Sequence, residues 1–169
     1  MSGFNIAIEG YDLKKLDEAW EQVPELVRDE LAEATWEAEA LLLREIKEDT
    51  PVGATSSLRQ SIHAEVPVVH HDTVEGVVGT SSLHALPVEL GTRPHFPPVK
   101  PLIDWVQAKL DIRDRREAAA VAMKIFWKIA NKGTKGHHMF SKNFHELKPT
   151  IEQIYGRAHQ NIVEGLAHG

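Results

Sequence analysis

The sequence contains no cysteine, so disulfide bonds and thiolate-ligated metal sites are excluded. Long hydrophobic runs are also missing. No stretch of 18 apolar residues occurs, and we therefore predict no membrane-spanning helix. The N-terminal residues carry a short apolar patch without a basic segment before it, so we do not expect a signal peptide. Synthesis in the cytoplasm follows as the default expectation.

The composition that remains is that of a soluble globular protein. The chain has 169 residues, of which 42% are hydrophobic and 26% charged, and this is enough to bury the core of a single domain over 1–169. The net charge of −6 is unevenly distributed. Residues 1–50 hold 5 Lys/Arg and 14 Asp/Glu, whereas residues 93–148 hold 12 Lys/Arg and 5 Asp/Glu. This asymmetry indicates either two solvated helix faces, or complementary surfaces on neighbouring copies, or a basic surface that faces DNA.

The N-terminal half is predicted to be helical and then to form a hairpin. Residues 4–8 alternate like a short edge strand. Pro24 separates a short helix over 13–22 from a long helix over 24–48, which ends at Thr50-Pro51. The apolar stripe of the long helix comprises Leu26, Leu31, Ala34, Ala38, Leu41, Leu42 and Ile46.

A change of period follows the long helix. Apolar residues alternate from Leu58 to Val68, which predicts a half-buried strand, and residues 73–79 return as its hairpin partner. Pro67 indicates an edge position or a bulge in that first strand.

The second half is predicted to be mainly helical. One helical turn over 87–90 ends at Gly91, helices follow at about 100–110 and 114–132, and Gly133 ends the second of them. A last helix is expected from near Pro149 to Leu166. The fold class is therefore α+β. A long N-terminal helix packs on a small antiparallel sheet, with a helical insertion at about 97–132 and a C-terminal helix.

The sequence offers no arrangement typical of catalysis. Its ten histidines include two adjacent pairs, but they lack the HExxH spacing that would place two ligands on one helix face. No GxSxG occurs, and Glu89 is followed by Leu90-Gly91 rather than by the lysine that a metal-dependent nuclease would need. We predict no enzyme activity, no catalytic residue, no metal site and no cofactor, and we expect the histidines to lie in loops, some with capping hydrogen bonds.

A basic stripe is the strongest charge pattern. Lys124, Lys128 and Lys132 follow one another at four-residue spacing on the second insertion helix. Such a stripe could contact phosphates, although a solvated helix face has the same pattern. We expect the stripe to lack the exposed aromatic side chains that would indicate single-strand binding.

The phrases around the predicted hairpin resemble those of the tail-component or neck proteins of long-tailed bacteriophages, which complete the tail or join it to the head. Thr50-Pro51 ends a long helix, and residues 58–62 (LRQSI) match the Leu-Arg-x-Ser-Ile phrase of that family. Residues 84–92 (HALPVELGT) match its Tyr-Ala-x-x-Val-Glu-x-Gly-Thr phrase, and residues 138–144 (HMFSKNF) resemble its closing phrase. The chain departs from the pattern at Ala54 and Ser56, at His84, and by its helical insertion.

The resemblance implies a structural virion protein at the head–tail junction, present in the host cytoplasm during assembly. It implies a homo-oligomeric ring, hexameric or dodecameric, around the DNA channel. The partners would be the head connector or stopper and the tail terminator or tail tube proteins, with non-specific proximity to genomic DNA and no membrane. Interface residues are expected at Arg59, Glu89, Arg93, Lys124, Lys128, Lys132 and Lys135, and backbone-shaping residues at Pro51, Gly91 and Gly133.

Two other classes remain open alongside the structural one. A DNA-handling enzyme of a mobile element, such as a nuclease, would show divalent-metal-dependent cleavage. A small regulatory binding protein, of antitoxin type, would be a dimer in solution rather than a ring.

Overall fold

The computed structural model describes residues 25–53, 55–70 and 73–166 in full, and residues 4–9 and 167–168 by their backbone. The helices of this part are α1 (Glu25–Asp49), α2 (Ser57–Ser61), α3 (Ala85–Leu90), α4 (Val99–Leu110), α5 (Arg115–Lys132) and α6 (Met139–His168). The strands are β1 (Phe4–Glu9), β2 (His63–Ala64), β3 (Val68–Val69), β4 (Val74–Thr80), β5 (Gly91–Thr92) and β6 (Thr134–Lys135). The predicted α+β class is confirmed.

The two long helices, α1 and α6, pack against each other in antiparallel directions. Thr35 meets Tyr155 in the middle of the pair, while the N-terminal Glu30 meets Asn161 further along α6. One face of each helix is buried in the main core. Helix α1 contributes Val27, Leu31, Ala34, Ala38, Leu42 and Ile46. Helix α6 contributes Met139, Phe140, Ile151, Ile154, Tyr155, Ala158 and Ile162. This long contact between α1 and α6 stabilises both helices more than their intrinsic helix propensities do.

The main sheet is antiparallel and has β4 at its centre. β1 pairs with one edge of β4, and β2 and β3 pair with the other edge. Ala64 lies opposite Val78 and Val68 lies opposite Glu75, so three residues on one strand face two residues on β4. The extra residue makes residues 65–67 a β-bulge. Pro67 lies in this bulge, and it has no N–H to donate to a ladder. The predicted edge position and bulge are both confirmed.

The segment between the two Gly-Thr phrases is a helical hairpin. Helices α4 and α5 pack on each other around Val106, Ala118 and Ala122, with Leu102, Ile103, Ile112, Val121 and Ile125 beside them. None of these residues belongs to the main core of α1, α6 and β4. Asp114 caps the N-terminus of α5 by accepting a hydrogen bond from the N–H of Arg116 at 2.8 Å. The helices predicted at about 100–110 and 114–132 are thereby confirmed.

The strand predicted from Leu58 to Val68 is wrong over its first four residues. Residues 57–61 form the short helix α2, the backbone becomes extended at Ile62, and β2 begins at His63. Leu58 and Ile62 are both buried. A spacing of four residues satisfies a helical turn as well as the alternation of a strand, so the pattern alone could not distinguish the two.

The C-terminal helix begins ten residues earlier than predicted. Pro149 was expected in its first turn but lies inside α6, which starts at Met139. Proline removes one intrahelical hydrogen bond and disfavours a helix interior. Here apolar residues on both sides of it, including Phe140 and Ile151, are buried in the main core, and this packing outweighs the local cost.

Of the three remaining helix predictions, two are confirmed and one lies outside the described residues. The long N-terminal helix is confirmed as α1, although Leu26 is partly exposed and Val27 takes its place in the core. The helical turn before Gly91 is confirmed as α3. The short helix predicted over 13–22 lies outside the described residues.

Candidate functional site

Glu89 is a fully buried carboxylate that caps α6. Its Oε2 accepts a hydrogen bond from the backbone N–H of Phe140 at 2.9 Å. Its Oε1 accepts from the N–H of Ser141 at 3.0 Å and from the hydroxyl of Ser141 at 2.7 Å. The first N–H groups of a helix have no partner within the helix, and a negative charge there also interacts favourably with the helix dipole. The expected interface role of Glu89 therefore does not fit its location, because the side chain is used inside the subunit.

The C-terminal end of α1 is tied to the same region. The Nε2 atom of His137 lies 2.7 Å from the backbone oxygen of Asp49 and 3.4 Å from its carboxylate. Asn143 donates to the Asp49 carboxylate at 3.2 Å, and Lys142 lies 3.4 Å from it. Basic side chains and N–H donors are favourable at a helix C-terminus, where carbonyl groups lack partners. The prediction that loop histidines make capping hydrogen bonds is confirmed at His137.

The two Gly-Thr phrases pair with each other at the base of the helical hairpin. Gly91 lies opposite Lys135, and Thr92 lies opposite Thr134. The two threonine hydroxyls are 3.0 Å apart, and Thr92 Oγ1 also accepts from the N–H of Thr134 at 3.1 Å. The ladder of β5 and β6 thus joins the two ends of the segment that carries α4 and α5.

Gly91 in β5 and Gly133, which directly precedes β6, both adopt a conformation that favours glycine. The φ angles of Gly91 and Gly133 are 78° and 71°, with ψ near 180°. A Cβ on Gly91 would collide with the carbonyl oxygen of Thr134, and a Cβ on Gly133 with that of Thr92. Other residues rarely adopt this backbone region. The glycines are therefore required by the close approach of the two strands. Gly133 also ends α5, where its N–H donates a hydrogen bond to the carbonyl of Ile129.

A second buried carboxylate lies between α1 and the sheet. Glu39 is 1% exposed, and its Oε1 accepts a hydrogen bond from the N–H of Val77 at 2.5 Å. Val77 lies opposite the bulge, and its N–H donates to the Glu39 side chain instead of to a carbonyl of the neighbouring strand. The other oxygen, Oε2, is buried without a hydrogen-bond partner in the described part of the chain.

Burial raises the pKa of Glu39 to about 7, and the carboxylate of Glu65 adds to this, whereas the Val77 hydrogen bond lowers it. The neighbouring Thr35 bonds to the hydroxyl of Tyr155 at 2.9 Å and to the carbonyl of Leu31. Burial also raises the pKa of Tyr155, and Glu39 contributes to that rise, while the Thr35 hydrogen bond opposes it. These groups form a buried polar layer between the sheet, α1 and α6, which is closed to substrates and fits a structural role.

The predicted interface residues other than Glu89 lie at the surface of the subunit. Arg59 is partly exposed on α2, and Arg93 is exposed directly after β5. The lysines of the insertion are exposed as well, three on α5 and one on β6: Lys124, Lys128, Lys132 and Lys135. Pro51 is exposed and follows the end of α1, where the hydroxyl of Thr50 donates to the carbonyl of Ile46.

The basic face of α5 also carries aromatic side chains, so the expectation that it lacks them is wrong. Trp127 is 55% exposed and lies on the same face as Lys124 and Lys128, because positions three and four apart on a helix are neighbours. Its ring makes an edge contact with Phe126 at 5.4 Å, and Phe126 stacks on the exposed Phe96 at 5.9 Å. An exposed tryptophan between cations is typical of a binding surface.

A similar but acidic face lies on α1. Trp36 is 53% exposed, and the exposed Glu33 and Glu37 are three residues before it and one residue after it. Arg157 of α6 reaches Glu37 at 2.6 Å, and both of these side chains are more than half exposed. The sequence contained the signal for this face, since Trp36 lies off the apolar stripe of α1.

Three leucines in and directly before the HALPVELGT phrase are also exposed. Leu83 is 80% exposed, and Leu86 and Leu90 lie one turn apart on the outer side of α3. The same short helix therefore turns Glu89 and Ala85 inward and its leucines outward. The sequence of this phrase did not predict that arrangement, because a helix of fewer than two turns is too short to show a hydrophobic period.

Concave and metal-binding features are modest in the part of the chain that the structure describes. A shallow groove of about 490 Å³ lies between α1 and α6, and it is lined by Glu37, Ala40, Leu41, Arg44, Thr150, Gln153, Ile154 and Arg157. In the whole part of the chain that the structure describes, no group of three or more His, Asp or Glu side chains is placed to hold a metal ion. None of the described helices is long and apolar enough to cross a membrane.

Comparisons with protein-family models, with curated proteins and with solved structures gave no match to this chain.

Proposed function

We propose that this chain is a structural, non-enzymatic subunit of the head–tail junction of a long-tailed bacteriophage, where it assembles as a ring. In this role one side of the ring meets the head connector or stopper, and the other meets the tail terminator or the tail tube. The subunit would reach the virion from the host cytoplasm. The proposal starts from the resemblance of residues 50–92 and 138–144 to the phrases of neck and tail-completion proteins.

The observation that carries the proposal is that these separate phrases meet in one structural joint. Glu89 of the HALPVELGT phrase caps the helix that begins in the HMFSKNF phrase. Asp49, next to Thr50-Pro51, is held by His137 and Asn143. Among the described residues of these phrases, Glu89 and Thr50 are buried and hydrogen-bond to backbone groups, which is the role expected in a structural subunit.

The surface of the subunit supports an assembly role. Acidic residues dominate the outer face of α1, lysines dominate α5, and an exposed tryptophan lies within each of these faces. Monomeric proteins rarely expose several large apolar side chains in clusters, so such clusters mark contact surfaces. A ring with head-to-tail contacts requires two different surfaces on each subunit.

Imaging and mass measurement test the proposal directly. The purified protein would be examined by negative-stain electron microscopy and by light scattering after size exclusion, alone and with purified portal or connector rings. Closed rings, or ordered addition of the chain to a connector, are expected. A monomer that leaves every connector unchanged would contradict the proposal, and so would a stable dimer.

A cleavage assay separates the structural role from that of a nuclease. The same preparation is incubated with plasmid and with single-stranded DNA in the presence of Mg²⁺ or Mn²⁺. We expect no cleavage at enzyme-to-substrate ratios that saturate a control nuclease. Metal-dependent cleavage that purifies together with the protein would overturn the proposal in favour of a DNA-handling enzyme.

A further inference from the structure

Two exposed helix faces of this chain have the same spacing and opposite charge. On α1 the order is Glu33, Trp36, Glu37, and on α5 it is Lys124, Trp127, Lys128. In both, the tryptophan lies three residues after the first charge and one before the second. All three positions share one face of a helix, and the two charges are about 6 Å apart along its axis.

Both faces are exposed in the part of the chain that the structure describes. Trp36 is 53% exposed and Trp127 is 55% exposed, so they do not cover each other in a single copy. Residues 25–37 hold five carboxylates and one arginine, whereas residues 118–132 hold three lysines and no carboxylate. The main counter-charge on the α1 face is Arg157, which shares Glu37 through an exposed ion pair of the kind that contributes little.

We infer that the Glu33–Trp36–Glu37 face of one copy binds the Lys124–Trp127–Lys128 face of another copy. The inference rests on the proposed function, because it supplies the contact between neighbouring subunits of the ring. Pairing the faces places each tryptophan in a desolvated centre and the opposite charges around it, which is the usual arrangement of a strong contact point. The ring of Trp127 makes an edge contact with Phe126, which stacks on Phe96, and this contact reduces the side-chain entropy that is lost on binding.

The contact is heterologous, since α1 of one copy meets α5 of the next. Such contacts propagate into closed rings or open filaments, or two copies exchange both contacts in a closed dimer. The charge pairing itself can therefore be tested independently of the ring.

Charge reversal in matched pairs tests the contact with the full-length protein. The variant K124E/K128E makes both faces acidic, and the variant E33K/E37K makes both faces basic. We expect each variant alone to associate at least about tenfold more weakly than the wild type in sedimentation or light scattering at low salt. An equimolar mixture of the two variants restores complementary faces at every contact, and so does the quadruple variant, so both are expected to recover association.

Several controls make the result specific. The variant K100E/K109E makes the same charge change elsewhere on the helical hairpin and should associate like the wild type. Circular dichroism and urea unfolding confirm that each variant is folded. Raising the salt concentration from about 0.1 M to 1 M should weaken the wild-type contact, because exposed charges are screened over about 3 Å at the higher concentration.

The outcomes separate this inference from the proposed function. If wild-type rings persist in both charge-reversed variants, the contact lies elsewhere and the inference fails, while the ring proposal stands. If reciprocal reversal restores a dimer instead of a ring, the contact stands and the ring proposal fails. If the wild type is monomeric at about 100 µM and on connectors, both fail. If K124E/K128E abolishes binding of an oligo-dT strand but leaves self-association unchanged, α5 is a nucleic-acid surface and the inference fails.

Discussion

The carboxylate of Glu89 in α3 accepts a hydrogen bond from the backbone N–H of Phe140, 2.9 Å away in the first turn of α6. The two residues are 51 positions apart in the chain and are separated by the whole helical hairpin. A short helix therefore fixes where the longest helix of the protein begins. The same carboxylate also holds Ser141, so one side chain satisfies three donors.

Replacement of Glu89 by alanine should destabilise the protein by about 2–4 kcal/mol, because buried donors lose a charged acceptor. Glu89→Gln should have a smaller effect, since its amide keeps one acceptor oxygen but turns an NH₂ group toward a donor. Urea unfolding followed by circular dichroism measures both changes. The exposed Glu146→Gln on α6 is the control and should change the free energy of unfolding by less than about 0.5 kcal/mol. Equal stability of Glu89→Ala and the wild type would show that α6 does not depend on this cap.

Glycine-to-alanine substitution should have opposite effects at two positions of the chain. At Gly133 the φ angle is 71° and an added Cβ collides with the backbone of Thr92, so we expect a loss of at least about 2 kcal/mol. At Gly156 a Cβ has nothing within 4 Å, and alanine in a helix interior is favoured over glycine by about 0.5–1 kcal/mol. Thermal unfolding of the two variants tests this pair, and a stabilised Gly133→Ala variant would contradict the strained ladder.

Local pattern predicted most helices because their apolar residues repeat at a helical period over many turns. α1 and α5 are examples, and Gly133 marked the end of α5 correctly. α6 was placed too late because Pro149 is a strong local signal, whereas the features that start the helix are tertiary. Glu89 and the burial of Phe140 are distant in sequence from each other, and neither is visible as a pattern around Met139.

The candidate surfaces were predictable in charge but not in geometry. The lysine stripe of α5 was evident from its spacing, and the structure leaves those lysines exposed. Trp127 was not assigned to the same face, and the structure leaves its side chain 55% exposed beside Lys124 and Lys128. Glu89 was expected at an interface, although a helix of six residues can turn one charged position inward when a helix N-terminus lies there.

The stability of the protein should fall between about pH 4.5 and pH 7 through Glu39. Its pKa is raised from 4.5 to about 7 in the folded state, chiefly by burial and further by Glu65, while the Val77 hydrogen bond opposes the rise. The folded state thus holds a proton that the unfolded state releases above pH 4.5. The stabilisation is complete below that value and is lost as the pH rises through 7.

The variant Glu39→Gln tests this, because glutamine keeps an acceptor for Val77 and does not titrate. The free energy of unfolding of this variant minus that of the wild type should be small at pH 4.5. It should grow in favour of the variant toward pH 8, to at most about 3 kcal/mol, since a tenfold ratio corresponds to about 1.4 kcal/mol. The difference cancels the titration of all other groups. A difference that stays constant over this range would show that the pKa of Glu39 in the folded protein is not raised above that in the unfolded chain.

Removal of the helical hairpin should leave the main core folded. The hairpin has its own small cluster around Val106, Ala118 and Ala122, and the ladder pairs Thr92 with Thr134 at its base. Deleting residues 94–132 joins Arg93 to Gly133, and Arg93→Asn then gives Thr92-Asn-Gly133-Thr134. Asn-Gly is the preferred pair for a two-residue hairpin turn, which would close β5 and β6 directly.

We expect this shortened chain to unfold cooperatively in urea and to keep the buried contact between Glu89 and Phe140, because neither residue belongs to the deleted cluster. Its helical signal in circular dichroism should fall by the share of α4 and α5. The Gly133→Ala change in the same background is the control, since it removes the conformation that the turn needs and should destabilise the shortened chain. A shortened chain without cooperative unfolding would mean that the main core depends on the hairpin. A folded one that no longer associates would place the contact between copies on α4, α5 or the connector before them.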